Sequence, residues 1–115
     1  MTSDSLPPVV KDRRTSPRQR VLQTGILVSV NGQYTRDCSI RDISTTGARV
    51  AVAALNLTEI TYLIHVRAEI GFEVKVARAS SREVGLTFLK RLPLDRNLDQ
   101  NLLFLWRLCL ERASR

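Results

Sequence analysis

Two arginines stand four residues apart near the start of the chain, at a spacing suited to gripping an anionic nucleotide. Arg14 and Arg18 form an R-x-x-x-R element, and Pro17 disfavours helix at Ser16 and keeps the segment extended. Arginine forks match phosphate oxygens, stack on purines and reach the O6 and N7 acceptors of guanine. The chemistry that this element predicts is the capture of phosphate groups and guanine bases.

A second element, D-x-S-x-x-G, is formed by Asp42, Ser44 and Gly47. A carboxylate accepts hydrogen bonds from guanine N1–H and N2–H, and a serine hydroxyl both donates and accepts. Gly47 is expected to supply a positive φ or a close backbone approach. Ser44 could also be a simple turn hydroxyl, and Asp42 could pair with one of the nearby arginines. Each element arises often by chance, but both in this order and at this distance rarely do.

The net charge of +7 is concentrated in the segment from Lys11 to Arg20, which holds five basic residues against one acidic residue. An apolar strand pattern follows directly, so a basic loop at the rim of a sheet, which attracts phosphates, is favoured over a solvated tail. Arg13 and Arg20 flank the motif, and Arg20 could contact phosphate or be plain surface charge. The complete set of candidate ligand-binding residues is Arg13, Arg14, Arg18, Arg20, Asp42, Ser44 and Gly47.

The remaining chemistry-bearing residues predict no catalytic or metal site and no cofactor. His65 is the only histidine, lacks a neighbouring cysteine or carboxylate cluster, and is expected to be exposed. No phosphate loop of the P-loop kind and no paired carboxylates are present, so the chain is predicted not to be an enzyme. Cys38 and Cys109 are expected to be reduced and mostly buried. Without a secretory signal or a long apolar run, a cytoplasmic protein is expected.

Alternating apolar residues predict six short antiparallel strands, which is typical of a small β-barrel. We expect residues 1–10 to be disordered, 11–92 to form the barrel with its N-terminal binding loop, and 93–115 to form a helix. In the first hairpin, a strict two-residue turn at Asn31-Gly32 would set Ile26 opposite Asp37 and mix core and solvent faces. We therefore expect Val30 to pair with Tyr34. The inward positions of the second strand are predicted to be Tyr34, Cys38 and Ile40.

In that register Leu22 lies opposite Asp42, Ile26 opposite Cys38 and Thr24 opposite Ile40. The arginine segment and the Asp42–Gly47 turn would then emerge at the same end of the sheet.

The C-terminal segment changes to a helical period, with Asp95 as the expected N-cap. Apolar residues from Leu98 to Cys109 predict an amphipathic helix of about four turns. We expect this helix to plug or cover the barrel. Its surplus leucines and Trp106 also suit docking of a partner or a second copy, so a homodimer through the helix is a further hypothesis.

The two elements together resemble the signature of the PilZ domain family, bacterial receptors for cyclic di-GMP. The resemblance runs from about Lys11 to Phe88 and includes a weaker match at Val84–Phe88 to the family's closing strand. It implies that the R-x-x-x-R and D-x-S-x-x-G residues grip the ligand from two sides of a barrel, and that the arginine segment is mobile until ligand arrives. It also implies signalling to a downstream protein in motility, biofilm or cell-surface control.

Two other functions fit parts of the sequence. A PilZ-like module could keep the barrel without the ligand and act only in protein interaction, which the leucine-rich helix favours and the intact motifs disfavour. A basic-rimmed small barrel could also bind single-stranded nucleic acid. The few aromatic residues fall mostly on predicted core faces, so no stacking platform for bases is visible.

Overall fold

A computed structural model describes residues 19–29, 34–52 and 60–114, with side chains from residue 23 onward. Six antiparallel strands close into a barrel in the order β1-β2-β3-β6-β5-β4 and are followed by a C-terminal helix, which confirms the predicted fold. The predicted disordered N-terminus, the arginine segment as far as Arg18 and the Asn31-Gly32 turn lie outside the described residues. The elements are β1 Gln19–Ser29, β2 Tyr34–Ile43, β3 Gly47–Ala51, β4 Ile60–His65, β5 Ile70–Ala79, β6 Glu83–Pro93, a 3-10 turn Gln100–Leu102 and α1 Leu103–Ala113.

The barrel interior is filled by one apolar cluster to which all six strands contribute. Phe72 of β5 and Phe88 of β6 stack within it, with ring centroids 3.9 Å apart. Alternation supplies the inward residues of β2, β3, β5 and β6. In β1 and β4 the inward residues are Leu27, Ile60 and Leu63, whereas the alternating residues Ile26, Val28 and Ile64 belong to a second cluster. The buried members of the interior cluster are Leu27, Cys38, Ile40, Ala48, Val50, Val52, Ile60, Leu63, Phe72, Val74, Val84 and Leu86.

A second apolar cluster joins α1 to the outside of the barrel. Leu105 and Cys109 of the helix are fully buried against Ile26, Ile64 and other outward residues of the strands. The prediction that the helix covers the barrel is therefore confirmed. Arg112 adds an ion pair to Asp37 of β2 at 2.8 Å, which ties the end of the helix to the first hairpin.

The helix begins later than the sequence suggested. Asp95 does not cap it: its Oδ1 accepts a hydrogen bond from the backbone N–H of Asn97 at 2.9 Å, within a separate turn. The chain then passes through a 3-10 turn before α1 starts at Leu103. The correction has a simple cause, because an aspartate stabilises an isolated turn as readily as a helix N-terminus.

The predicted register of the first hairpin is wrong. Ile26 pairs with Asp37 and Ser29 with Tyr34, which is the register that the face argument rejected. Because α1 covers the outside of β1, both faces of that strand are buried: Ile26 faces the helix and Leu27 faces the barrel interior. Pairing Ile26 with Asp37 on the outer face therefore carries no energetic penalty. Ile26 packs against the helix, and the Asp37 carboxylate forms an ion pair with Arg112 of the helix.

Two further residues do not lie where alternation placed them. Tyr34 is 65% exposed rather than inward, because it sits at the first position of β2, beyond the filled interior. His65 is buried rather than exposed, and its Nδ1 accepts a hydrogen bond from the backbone N–H of Ala68 at 3.2 Å. Burial lowers the pKa of the His65 imidazole below 6.5.

Candidate functional site

The start of β1 lies beside the D-x-S-x-x-G turn. Gln19 pairs with Ile43, and Arg20 lies directly opposite Asp42. The register then shifts by one residue at a bulge between Arg20 and Gln23. The predicted pairing of Asp42 with Leu22 is therefore wrong: the observed partner, Arg20, comes two residues earlier in the chain. The broader prediction is confirmed: the chain that carries the arginine motif joins the sheet at the end where Ser44 begins its turn. Arg13, Arg14 and Arg18 themselves lie outside the described residues, and for Arg20 only the backbone is described.

A bulge in β2 decides which face of the barrel Asp42 occupies. Ile40 pairs with Val50, yet Asp42 pairs with Arg49, so the two strands slip by one residue between these pairs. Without that slip, Asp42 would follow Ile40 to the barrel interior, because side chains alternate along a strand. With it, Ile43 packs inward and Asp42 lies on the outer face beside Arg49.

Asp42 is held by an arginine that the sequence analysis did not single out. The Nε of Arg49 donates to Asp42 Oδ2 at 2.9 Å, and Nη2 forms an ion pair with the same oxygen, also at 2.9 Å. The Nη1 of Arg49 donates to Glu83 Oε1 of β6 at 3.4 Å. The Asp42 side chain is 6% exposed and the Arg49 side chain 41% exposed. One guanidinium thus bridges carboxylates from two other strands while part of it faces solvent.

Ser44 organises the turn that follows β2. Its backbone N–H donates to the carbonyl of Gly47 at 2.8 Å, and its hydroxyl oxygen accepts from the backbone N–H of Thr46 at 3.2 Å. The same hydroxyl contacts the Thr46 hydroxyl at 3.2 Å and donates to the Gly47 carbonyl at 3.3 Å. Ser44 therefore acts as a turn hydroxyl in the structure. Its side chain lies partly exposed at the rim of the barrel.

Gly47 is required by a close backbone approach. A Cβ at this position would lie 2.2 Å from the carbonyl oxygen of Leu86 on β6. The approach lets Gly47 pair with Thr87, and it lets the Phe88 N–H donate to the Thr46 carbonyl at 2.9 Å. Of the two roles expected for Gly47, the close approach is the one observed.

A groove of about 360 Å³ runs along the outer face beside this turn, over β3, β6 and β5. Arg49, Gly85 and Arg78 form one row across these strands. A Cβ on Gly85 would lie 3.1 Å from Cγ of Arg78, so the glycine leaves room for the arginine stem. The remaining lining residues are Ser44, Thr46, Gly47, Ala48, Ala77, Ala79, Ser80, Glu83, Leu86 and Thr87.

Sequence reasoning missed the three charged residues that build this groove: Arg49, Arg78 and Glu83. A partial signal existed for Arg49, because Ala48 and Val50 alternate inward and the residue between them must point outward. Its pairing with Asp42 could not be foreseen, since it depends on the bulge in β2.

Both cysteines are free and buried, as predicted. Burial, with a smaller effect of the Asp37 charge, raises the pKa of Cys38 to about 12, and burial also raises the pKa of Cys109. Within the described ranges, no three histidine, cysteine or carboxylate side chains cluster as metal ligands would. No described helix combines the length and the apolar character needed to cross a membrane.

A family model described as PilZ domain matches residues 12–105, which is most of the chain. The chain belongs to the PilZ family. The match contains both motifs and all six strands of the barrel. PilZ domains are known for binding cyclic di-GMP and are binding domains rather than enzymes. No curated protein matches the chain.

Proposed function

We propose that this PilZ domain is a cyclic di-GMP receptor that passes the binding event to a downstream protein. One observation carries the proposal: Arg20 lies directly opposite Asp42, so the strand that follows the arginine motif in the chain starts beside the D-x-S-x-x-G turn. Antiparallel neighbours of this kind have Cα atoms about 5 Å apart. We therefore propose that the arginines that precede Gln19 in the chain and the polar groups of the turn bind one ligand together.

The proposed roles follow the chemistry of each group. Arg14 and Arg18 bind the phosphates and the faces of the guanines, while Arg13 and Arg20 add positive potential. Asp42 accepts hydrogen bonds from guanine N1–H and N2–H, and Ser44 donates to or accepts from a polar edge.

The burial of Asp42 supports a rearrangement on binding. Its side chain is only 6% exposed and its Oδ2 is held by Arg49, so guanine reaches the other carboxylate oxygen only if neighbouring groups other than Arg49 move. A receptor whose reading group is covered before ligand arrives responds by shifting between two conformations. This agrees with the implied ordering of the segment from Lys11 to Arg20 around the ligand.

The outer groove gives such a ligand space. Its volume of about 360 Å³ lies in the usual range of small-molecule sites, and Ser44 and Gly47 border it. Two arginines, Arg49 and Arg78, and one glutamate, Glu83, line it, so its charged lining is positive by one charge, which suits an anionic ligand.

The output is proposed to be cytoplasmic signalling. Ordering of the N-terminal segment changes the surface that the protein offers to a downstream partner, in keeping with control of motility, biofilm or the cell surface elsewhere in the family. The helix α1 remains the candidate surface for that partner or for a homodimer, because Leu110 is 48% exposed on it.

The decisive experiment is calorimetric titration with cyclic di-GMP, beside GTP and a short single-stranded DNA. We expect that, of these three ligands, only cyclic di-GMP binds saturably. Arg14→Ala and Arg18→Ala should each lower the affinity for cyclic di-GMP about tenfold or more, since one charge-assisted contact contributes roughly 1.5–3 kcal/mol. Arg107→Ala, which removes an exposed arginine from α1, is the matched control and should bind normally. A wild-type chain that gives neither heat nor chemical-shift change with cyclic di-GMP would refute the proposal.

The role of Asp42 has its own test. Asp42→Ala should weaken the preference for cyclic di-GMP over cyclic di-AMP more than it weakens overall attraction, because a carboxylate recognises guanine donors and repels phosphate. Both ligands are titrated against wild type and variant. An unchanged preference would mean that Asp42 is structural.

A further inference from the structure

Arg49 is held more firmly than an ordinary surface arginine. Two of its nitrogen atoms donate hydrogen bonds, Nε to Asp42 and Nη1 to Glu83, and Nη2 forms an ion pair with the same Asp42 oxygen. The two carboxylates come from β2 and β6, on either side of the strand that carries Arg49. Contacts to carboxylates on two sides leave the guanidinium plane little freedom to tilt.

The exposed part of this guanidinium borders the outer groove. Two carboxylates contact it through Nε, Nη2 and Nη1, yet the side chain is 41% exposed and lines the groove with Ser44 and Gly47. A guanidinium whose edges are engaged presents its flat faces, and such a face stacks on aromatic rings and nucleobases.

We infer that Arg49 is a ligand-contacting residue whose clamped guanidinium stacks on a purine base of the bound nucleotide. The inference rests on the proposed function and adds a residue outside both sequence motifs. Asp42 and Glu83 act on the ligand partly through Arg49, because they fix the plane on which the base lies.

A lysine at this position separates stacking from charge. Arg49→Lys keeps the positive charge, but a compact ammonium has no planar face. We expect its affinity for cyclic di-GMP and for cyclic di-AMP to fall by the same factor, about tenfold, at the lower end of what one stacked base contributes. Arg107→Lys on α1 is the matched control and should leave both affinities unchanged.

Two outcomes of that titration would overturn the inference. If Arg49→Lys binds both ligands as the wild type does, Arg49 contributes only charge. If the ratio between the two affinities changes while the cyclic di-AMP affinity is kept, Arg49 reads a base edge instead of stacking on a face.

A measurement on the wild-type chain stands independently of whether the variant folds. The Hε proton of Arg49 should move upfield when cyclic di-GMP saturates the protein, because the ring current of a stacked base shields it. If backbone amides shift on titration and this proton does not, stacking is ruled out while the receptor function stands. If no resonance shifts at all, the receptor function fails, and the inference fails with it.

Discussion

The substitution Gly47→Ala tests the closest backbone approach at the proposed site. The new Cβ would lie 2.2 Å from the Leu86 carbonyl oxygen, whereas ordinary van der Waals contact begins near 3.4 Å. Because the obstacle is backbone in a paired strand, no rotamer change relieves it, and β3 must move away from β6 by roughly 1 Å in a densely packed barrel.

The cost follows from what that movement disturbs. Overpacking of this kind costs about 1–3 kcal/mol. Lengthening the hydrogen bond from the Phe88 N–H to the Thr46 carbonyl, now 2.9 Å, costs about a further 1 kcal/mol. We therefore expect the free energy of unfolding to fall by about 2–4 kcal/mol and the melting temperature by about 10–20 °C.

Urea denaturation followed by circular dichroism measures this loss, with Gly71→Ala as the matched control. A Cβ on Gly71 would lie 3.4 Å from Cδ2 of Leu94 and farther from all backbone, so its free energy of unfolding should stay within about 1 kcal/mol of wild type. Equal denaturation midpoints for the two variants would refute the packing argument at Gly47.

Three further predictions concern other parts of the molecule. Burial lowers the pKa of His65 below 6.5, so the unfolded chain binds the proton first as the pH falls. The free energy of unfolding should therefore be unaffected by His65 above about pH 6.5 and should fall as the pH drops toward the folded pKa. Denaturation curves of His65→Gln between about pH 8 and 5 should lack this decrease. The amides of residues 11–18, which precede β1, should gain hydrogen-exchange protection with saturating cyclic di-GMP; equal protection would shift attention to α1 as the moving element. Asp37→Ala removes the 2.8 Å ion pair with Arg112 and should lower the free energy of unfolding by about 1 kcal/mol. This difference should be smaller in about 1 M salt. An unchanged free energy of unfolding would show that the pair does not stabilise the fold.

Local pattern was enough to predict much of the fold and one half of the site. Alternation located all six strands, and the change of period after Pro93 located the helix, because both signals depend only on neighbours along the chain. The motif also predicted that Gly47 supplies a positive φ or a close backbone approach. The structure shows which: the carbonyl oxygen of Leu86 on β6 leaves no room for a side chain.

Which face points inward could be decided only by the tertiary structure. Alternation shows that Ile26 and Val28 share a face, and Leu27 lies on the other, but the helix buries both faces of β1. The usual penalty against the observed register therefore vanished. His65 was predicted to be exposed for the same reason: the rule that one face of a strand meets water fails where a second layer covers it.

The sequence by itself determined the kinds of groups at the site: arginines for phosphate, a carboxylate and a hydroxyl for guanine, and a glycine for close packing. The tertiary structure decided their partners. A one-residue bulge places Asp42 on the outer face, where Arg49 binds it. Glu83, far along the chain, accepts a second hydrogen bond from Arg49. Such contacts arise between strands, and a shift of one residue reverses every side chain beyond it, so no pattern along a single strand can reveal them.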